Sequence, residues 1–168
     1  GCSKPVETKG EVLLVEDTGK ALMQLAAYYR SLFSYPVVGI TGSVGKTTTK
    51  EMVFAVLSEK YNTLKNEGNL NNEIGLPTTV FRMDSSFEAA ILEMGMSAFG
   101  EISRLSQVAQ PSVGIITKIG VSHIEHLGSR KGILKAKLEI LDGLKNTAPL
   151  IVNGDDDLLS KVELSDRR

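Results

Sequence analysis

One stretch decides the fold: Gly42-Ser43-Val44-Gly45-Lys46-Thr47-Thr48-Thr49. It follows the apolar run 36–41 and precedes a run with helical character at 50–57. A strand, a glycine-rich turn, a lysine–threonine pair and a helix form the arrangement that holds nucleotide phosphates. Glycines let successive backbone N–H groups turn toward one anion, and the following helix adds its positive dipole end. The stretch therefore predicts a phosphate-binding loop in an α/β fold.

Two side chains of this loop carry the predicted chemistry. Lys46 would place its charge on the β- and γ-phosphates, and Thr47 would offer its hydroxyl to Mg²⁺. The strict P-loop pattern needs glycine where this chain has Ile40, so the loop has the shorter form Gly-x-x-Gly-Lys-Thr-Thr. An ordinary glycine turn at a helix start is the alternative, but the flanking strand and helix favour phosphate binding.

Composition narrows the class of protein. The 168 residues suffice for one domain with a real core, and the net charge of -1 argues against broad electrostatic binding of nucleic acid or membranes. No apolar run approaches a membrane span, and no signal-peptide pattern is present. The single Cys2 cannot form an internal disulfide. Together these features predict a cytoplasmic protein, and the absence of an initial Met predicts a fragment of a longer one.

Strand-like and helix-like runs alternate along the chain. The helix-like runs are 20–32, 46–60, 74–83, 100–109 and 129–144. The strand-like runs are 37–41, 61–64, 89–93, 113–117 and 150–153, and 11–15 is compatible with a short strand. The alternation predicts an α/β fold, a mostly parallel sheet flanked by helices. The last three main strands are continuously apolar, which predicts that both of their faces are covered.

Residues at the strand ends are candidates for the site, because ligands collect at the carboxyl ends of parallel strands. Glu93 ends an apolar strand, and this position favours a Mg²⁺ ligand over a solvated carboxylate. His123 follows a strand and a glycine and is expected to face the site, whereas His126 is expected to be solvated. Asn71 and Asn72 suit either helix capping or a polar wall for a phosphate.

Five motifs in this order resemble the central ATPase domain of the Mur ligases of bacterial cell-wall synthesis. They are Gly-Ile-Thr-Gly-Ser-Val-Gly-Lys-Thr-Thr-Thr-Lys-Glu-Met at 39–52, Gly-Asn-Leu-Asn-Asn-Glu-Ile-Gly-Leu-Pro at 68–77, Leu-Glu-Met-Gly at 92–95, Ile-Gly-Val-Ser-His at 119–123 and Lys-Ala-Lys at 135–137. The resemblance covers residues 11–157. The second and third motifs resemble most the members that use D-alanyl-D-alanine.

The resemblance implies an ATP-dependent amide ligase of peptidoglycan precursor synthesis. A substrate carboxylate would attack the γ-phosphate of ATP to give an acyl phosphate, and an amine would then displace phosphate. The two partners would be UDP-N-acetylmuramoyl-tripeptide and D-alanyl-D-alanine, with Mg²⁺ as the metal. The resemblance further implies a monomer in the bacterial cytoplasm.

The resemblance also carries over residue roles. Thr47 and Glu93 would bind one Mg²⁺ and His123 a second, and Lys137 corresponds to the lysine that is carbamylated in this family and helps hold the second ion. From its position in a predicted helix alone, Lys137 is expected to be a solvated lysine. The implied catalytic residues are Lys46, Asn72, His123 and Lys137. The implied ATP-binding residues are Thr41, Gly42, Ser43, Val44, Gly45, Lys46, Thr47, Thr48 and Asn71.

A division into domains follows from the same resemblance. Residues 1–35 would be the junction from an amino-terminal substrate domain, and residues 36–168 would be the truncated central ATP-binding domain, with the carboxyl-terminal domain absent. Such a piece is expected to hold the phosphate and metal site without ligating on its own. Val44 and Lys118 depart from the family, in which asparagine is common at both positions.

Other functions remain open to the sequence. One is a related ligase of the muramyl amino-acid or folylpolyglutamate type. Another is a non-catalytic P-loop nucleotide-binding module, which would give Lys137 no role and would need an Asn-Lys-x-Asp motif for guanine that the chain lacks. A third is a domain too incomplete to bind any ligand well, with an open sheet edge.

Overall fold

The computed structural model describes residue 4 and residues 10–163, so Cys2 and the final residues 164–168 lie outside the described part. Five parallel strands form one sheet in the order β2-β3-β1-β4-β5. The strands are β1 (Val37–Thr41), β2 (Thr63–Lys65), β3 (Ala89–Glu93), β4 (Val113–Ile116) and β5 (Leu150–Val152). The mostly parallel sheet predicted from the alternating pattern is confirmed.

Six α-helices and two 3₁₀ turns connect the strands within the described residues. The helices are α1 (Thr18–Ser31), α2 (Lys46–Ser58), α3 (Gly75–Val80), α4 (Glu101–Ala109), α5 (Ile124–Leu127) and α6 (Arg130–Leu138). The 3₁₀ turns are Glu139–Gly143 and Leu159–Lys161. Helix α1 packs against α3 and α4, and α2 packs against β3. No helix among these residues has both the length and the apolar character that crossing a bilayer requires.

Three expectations from the sequence are wrong. The run 11–15 forms only an isolated bridge at Leu14, because a strand needs a continuous ladder with a neighbour. β5 is not covered on both faces: it lies at an edge of the sheet, and Ile151 is 52% exposed. The predicted helix 129–144 is two elements, because α6 ends at Leu138 and a 3₁₀ turn follows. The short helix α5 was not predicted.

A buried arginine anchors the carboxyl end of α1. The guanidinium of Arg30 donates through Nε to the carbonyl of Ala109 at 3.0 Å, and through its other nitrogens to the carbonyls of Phe33 at 2.6 Å and Tyr35 at 3.4 Å. Burial lowers the pKa of Arg30. These bonds satisfy carbonyls at two helix ends. They therefore fix the entry of the chain into β1, whose far end carries the predicted phosphate loop.

The 3₁₀ turn Glu139–Gly143 is joined to α4 by two polar contacts. The carboxylate of Glu139 accepts from the backbone N–H of Gly100 at 2.8 and 2.9 Å, so it caps the start of α4 in the way a helix N-terminus favours. The hydroxyl of Ser106 accepts from the N–H of Gly143 at 3.1 Å. Together these contacts set where α6 lies relative to α4.

We expect Gly143→Ala to destabilise the fold by overpacking. A Cβ at Gly143 would lie 2.0 Å from the carbonyl oxygen of Ser106, whereas a Cβ at Gly154 would meet no atom within 4 Å. The free energy of unfolding of Gly143→Ala should fall by about 1–3 kcal/mol. Denaturant unfolding monitored by circular dichroism measures it, with Gly154→Ala as the control. Equal stability of the two variants would contradict the tight packing at Ser106.

Candidate functional site

A polar cavity of about 320 Å³ lies at the carboxyl edge of the sheet. The loops that follow β1, β2, β3 and β4 all contribute to its wall, together with helices α4 and α6. This is where the rule for parallel sheets places a ligand. The lining residues are Gly42, Ser43, Lys46, Asn71, Asn72, Gly95, Met96, Ser97, Glu101, Ser122, His123 and Lys137.

The loop between β1 and α2 has the backbone that its glycines predict. Gly42 has φ 146° and Gly45 has φ 88°, both in the region that favours glycine. The hydroxyl of Thr117, just past β4, donates to the carbonyl of Val44 at 2.6 Å. The backbone N–H of Ser43 donates to the carbonyl of Lys118 at 2.8 Å. The loop is thus held against the chain that leaves β4.

These contacts bear on the two departures from the family pattern. Val44 and Lys118 both have exposed side chains, and both contact the rest of the site through their backbone carbonyls. Neither position therefore depends on a side-chain amide to hold the loop in shape. The hydroxyl of Ser43 is buried and makes no hydrogen bond with any residue in the described ranges. It is a free polar group at a cavity wall where an anion is predicted.

The first turn of α2 brings its lysine and threonine to the site. Lys46 Nζ donates to the carbonyl of Gly42 at 3.0 Å, across the loop, and Lys46 lines the cavity. Thr47 Oγ1 donates to Glu93 Oε2 at 2.9 Å. The hydroxyl of Thr41 instead donates to the carbonyl of Met94 at 3.0 Å and is buried within the sheet. Thr48 is exposed on α2.

The carboxylate of Glu93 is buried at the end of β3 and held from several sides. Its Oε1 accepts from Asn71 Nδ2 at 2.8 Å, and its Oε2 accepts from the hydroxyl of Thr47. Lys50 Nζ lies 3.5 Å from the same Oε2, and the side chains of Lys50 and Glu93 are 1% and 2% exposed. The sequence predicted Glu93 and Thr47 as neighbours but did not single out Lys50, which reads as a polar residue of an amphipathic helix.

Asn66 is a second residue that the sequence analysis missed. It is fully buried, its Oδ1 accepts from the N–H of Glu93 at 2.9 Å, and its Nδ2 donates to the carbonyls of Glu93 at 3.1 Å and Leu70 at 2.8 Å. It therefore ties the loop after β2 to the end of β3. The only signal in the sequence is a polar residue directly after an apolar run, which many loops share.

The two asparagines of the 68–77 motif have different surroundings. Asn71 binds Glu93, whereas Asn72 Oδ1 accepts from the N–H groups of Ile74 at 3.1 Å and Gly75 at 2.8 Å. Asn72 thus caps α3, as the structural alternative proposed, and it also lines the cavity. The capping alternative is therefore confirmed for Asn72, and both asparagines line the cavity, where binding of a phosphate stays a prediction.

Lys137 is not the solvated helical lysine that its position in the sequence suggests. It is 2% exposed and lines the cavity. Burial, followed by the positive charge of Lys46, lowers the pKa of Lys137 to about 7, while Glu101 and Glu139 act in the opposite direction. Because a pKa of about 7 leaves about half of the amine neutral at neutral pH, Lys137 is able to act as a nucleophile toward small electrophiles.

His123 directly precedes α5 with φ 63°, an uncommon conformation for a residue with a side chain, and it lines the cavity. His126 is exposed, as the sequence predicted. Within residues 10–163 no group of three or more His, Cys, Asp or Glu side chains is arranged to hold a metal.

The donor set nevertheless fits Mg²⁺ bound with a nucleotide. Mg²⁺ in such sites commonly takes one or two protein oxygens, while phosphates and water complete its shell. The hydroxyl of Thr47 and the carboxylate of Glu93, 2.9 Å apart, are oxygens of the required type beside a phosphate-type loop. A single acidic side chain is therefore enough here, and the absence of a larger acidic cluster does not argue against the ion.

The amino-acid sequence matches known proteins along most of its length. Residues 40–166 match the family model of the Mur ligase middle domain. The UDP-N-acetylmuramoyl-tripeptide–D-alanyl-D-alanine ligase of Bacillus subtilis is 55% identical over 151 residues, which cover 90% of this chain and 33% of that ligase. The corresponding ligase of Escherichia coli is 39% identical over 153 residues, which cover 91% of this chain and 34% of that ligase. The chain spans about a third of the length of these relatives.

Solved structures show the same likeness. A crystal structure of MurF from Acinetobacter baumannii matches with a TM-score of 0.90 and 38% identity, covering 95% of this chain and 35% of that one. The MurF ligase of Thermotoga maritima in complex with ADP matches with a TM-score of 0.86 and 37% identity. The match covers 94% of this chain and 37% of that one. The fold of this chain is therefore shared with these proteins.

We expect Gly42→Ala to be the most damaging alanine substitution in the phosphate loop. A Cβ there would lie 2.0 Å from the hydroxyl of Thr117, and the φ of 146° is itself unfavourable for alanine. The free energy of unfolding should fall by about 1–3 kcal/mol. Gly128→Ala is the matched control, because Gly128 has φ 74° but no atom within 4 Å of its Cβ position.

Denaturant unfolding of both variants separates backbone strain from steric conflict. Gly128→Ala reports the strain of a positive φ, and the additional loss in Gly42→Ala reports the clash with Thr117 together with the greater strain at φ 146°. Adding Thr117→Ala to Gly42→Ala should recover part of that loss. If Gly42→Ala is no less stable than Gly128→Ala, the close approach of the loop to Thr117 is wrong.

Proposed function

Because this chain belongs to the Mur ligase family, we propose that it is the ATP-binding part of a ligase that joins D-alanyl-D-alanine to UDP-N-acetylmuramoyl-tripeptide. One observation carries the proposal. Lys46 of the glycine loop and the buried Lys137 of α6 line one cavity, beside the Thr47–Glu93 pair. The positive charge of Lys46 and an oxygen pair at the carboxyl edge of a parallel sheet suit a transferring phosphoryl group.

The phosphate loop supports the ATP part of the proposal. The first backbone N–H groups of α2 have no partner within the helix and attract an anion, and the free hydroxyl of Ser43 adds a donor. Lys46, which bonds to the carbonyl of Gly42, is close enough to exchange this partner for a phosphate oxygen. In its role, Lys46 binds and neutralises the β- and γ-phosphates.

The polar residues around the cavity orient the reacting groups. Thr47 and Glu93 would hold one Mg²⁺, and His123 and the carbamate form of Lys137 would hold a second ion. When bound, Mg²⁺ neutralises charge on the phosphates. Asn71 fixes the carboxylate of Glu93, and Asn72 lines the same wall from the start of α3. These side chains contribute to catalysis by placing charge and by holding the reactants in one orientation.

The reaction that fits these residues has two steps. A carboxylate oxygen of the tripeptide attacks the γ-phosphorus of ATP, the bond to the bridging oxygen breaks and ADP leaves. The amine of D-alanyl-D-alanine then attacks the acyl carbon, inorganic phosphate leaves and the nitrogen gives up a proton. Such a ligase acts in the bacterial cytoplasm, and we propose that the chain is a monomer whose central ATP-binding domain begins near residue 36.

Lys46→Ala is expected to remove Mg-ATP binding by this chain. The substitution deletes the charge on the phosphates but leaves the backbone of the loop intact, so the affinity should fall at least about tenfold while the fold persists. Isothermal titration calorimetry with Mg-ATP measures the affinity. Lys118→Ala is the matched control, because Lys118 has an exposed side chain on the neighbouring loop and contacts Ser43 only through its backbone.

Two results would contradict the proposed function. Equal Mg-ATP affinity in the chain and in Lys46→Ala would remove the phosphate role from the loop. No affinity in either would mean that these residues do not form an ATP site by themselves. Ligation is tested separately in the longer protein, by analysing the product formed from the tripeptide precursor with D-alanyl-D-alanine or other amines.

We further propose that Lys137 forms a carbamate with carbon dioxide. Carbamate formation needs the neutral amine, and the pKa of about 7 supplies it near neutral pH. The carbamate should therefore form above about pH 7 and be lost as the pH falls through this value. Nuclear magnetic resonance with isotopically labelled bicarbonate should show a carbamate signal that is absent from Lys137→Arg.

Lys135→Arg is the control for this measurement. Lys135 lies on the same helix but has an exposed side chain outside the cavity lining, so Lys135→Arg should leave the carbamate signal unchanged. A carbamate signal that survives Lys137→Arg, or one that grows as the pH is lowered, would contradict the assignment.

A further inference from the structure

Lys50 is a buried lysine to which the proposed function assigns no role. It lies on α2, three residues after Thr47, so both side chains project toward the same part of the protein. Its side chain is 1% exposed. Lysine is almost never buried to this extent without a partner of opposite charge, because taking an ammonium group out of water is costly.

The ammonium group of Lys50 faces three oxygens. Its Nζ lies 3.5 Å from Glu93 Oε2, 3.4 Å from the carbonyl of Gly68 and 3.7 Å from Glu51 Oε1. Glu93 Oε2 is also the oxygen that accepts the hydroxyl of Thr47. Lys50 thus contacts the carboxylate oxygen that belongs to the proposed Mg²⁺ pair.

We propose that Lys50 is the internal counter-ion of Glu93: it holds this carboxylate in place without metal and sets how strongly the site attracts Mg²⁺. The proposal rests on the proposed function for the identity of the ion. Lys50 is a positioning residue, because its contacts are with Glu93 and neighbouring protein oxygens and not with the reacting atoms.

Elementary electrostatics gives the direction of the effect. A buried carboxylate without a nearby cation is unfavourable, so the protein without metal depends on Lys50. A Mg²⁺ ion bound at the same oxygen would be repelled by the ammonium group, since like charges at short separation in a protein interior interact strongly. Lys50 should therefore stabilise the metal-free protein and weaken cation binding, and its removal should reverse both effects.

The neighbouring charges indicate that Lys50 pairs with Glu93 more strongly than with Glu51. Glu51 has its own partner in Lys65, and Lys65 Nζ also lies 4.1 Å from the ring centre of Phe54. Glu51 is 48% exposed, so water screens its attraction for Lys50. Glu93 is buried, and Lys50 is the cation that the structure pairs with it within the described residues.

The backbone contact of Lys50 extends its effect to a second residue of the site. Gly68 lies in the loop after β2, between Asn66 and Asn71. Asn71 Nδ2 binds the other oxygen of Glu93. Lys50 therefore joins α2, the loop and the carboxylate in one network that is complete without nucleotide.

The first test is a double-mutant cycle on the metal-free chain. Lys50→Met, Glu93→Gln and the double variant are unfolded with denaturant in the presence of a chelator. If the two side chains are counter-ions, Lys50→Met should lower the unfolding midpoint far more in the native background than in the Glu93→Gln background. Equal shifts in the two backgrounds would overturn the proposal, because they are expected when Lys50 only fills space.

The second test measures the response to Mg²⁺. At a fixed excess of ATP, Mg²⁺ is titrated while the thermal unfolding midpoint is recorded. Lys50→Met should need about fivefold less Mg²⁺ for half of the effect and should gain more stability from it than the native chain. Lys65→Met, which removes a lysine from the outer pair with Glu51, is the matched control and should respond like the native chain.

The outcomes separate this proposal from the proposed function. An unchanged or weaker response to Mg²⁺ in Lys50→Met would overturn the counter-ion role. If the native chain itself shows no response to Mg²⁺ and ATP, the proposed function fails, while the double-mutant cycle still decides the pairing. If Lys50→Met does not fold, recovery of folding on adding Glu93→Gln supports the pairing, and continued unfolding contradicts it.

Discussion

The parallel pairing of β1 with β3 and β4 is the constraint on which the rest of the structure depends. Ile40 lies opposite Glu93, and Thr41 lies opposite Ile116. In this register the three strands end together, so the phosphate loop, the buried carboxylate and the histidine loop emerge at one edge. A parallel sheet has this property because every strand runs in the same direction, and each crossover returns the chain to the opposite edge.

Bringing the strand ends together buries the carboxylate of Glu93, and neighbouring groups compensate for its charge. Glu93 is buried where an uncompensated carboxylate would destabilise the protein. Thr47, Asn71 and Lys50 supply two hydrogen bonds and a positive charge, and Asn66 satisfies the backbone on either side. The same groups that make the burial tolerable also hold the carboxylate beside the hydroxyl of Thr47.

Lys137 shows how packing far from the sheet changes the chemistry of one side chain. Its helix is positioned by the 3₁₀ turn that follows, where Glu139 caps α4 and Gly143 packs on Ser106. This position places the amine at the cavity wall near Lys46, and burial then lowers the pKa of Lys137 to about 7. The lowered pKa of this lysine therefore depends on how α6 and α4 fit together.

The sequence by itself determined the fold class, the phosphate loop and the positions of Lys46, Thr47, Glu93 and His123. These depend on local patterns: apolar runs, glycines before a helix, and polar residues at strand ends. Only the tertiary structure decided that β5 is an edge strand, that Lys50 and Lys137 are buried, and that Asn66 joins two loops. The physical reason is that burial and charge pairing depend on residues distant in the chain: Lys50 and Glu93 are 43 positions apart, so no local pattern encodes their contact.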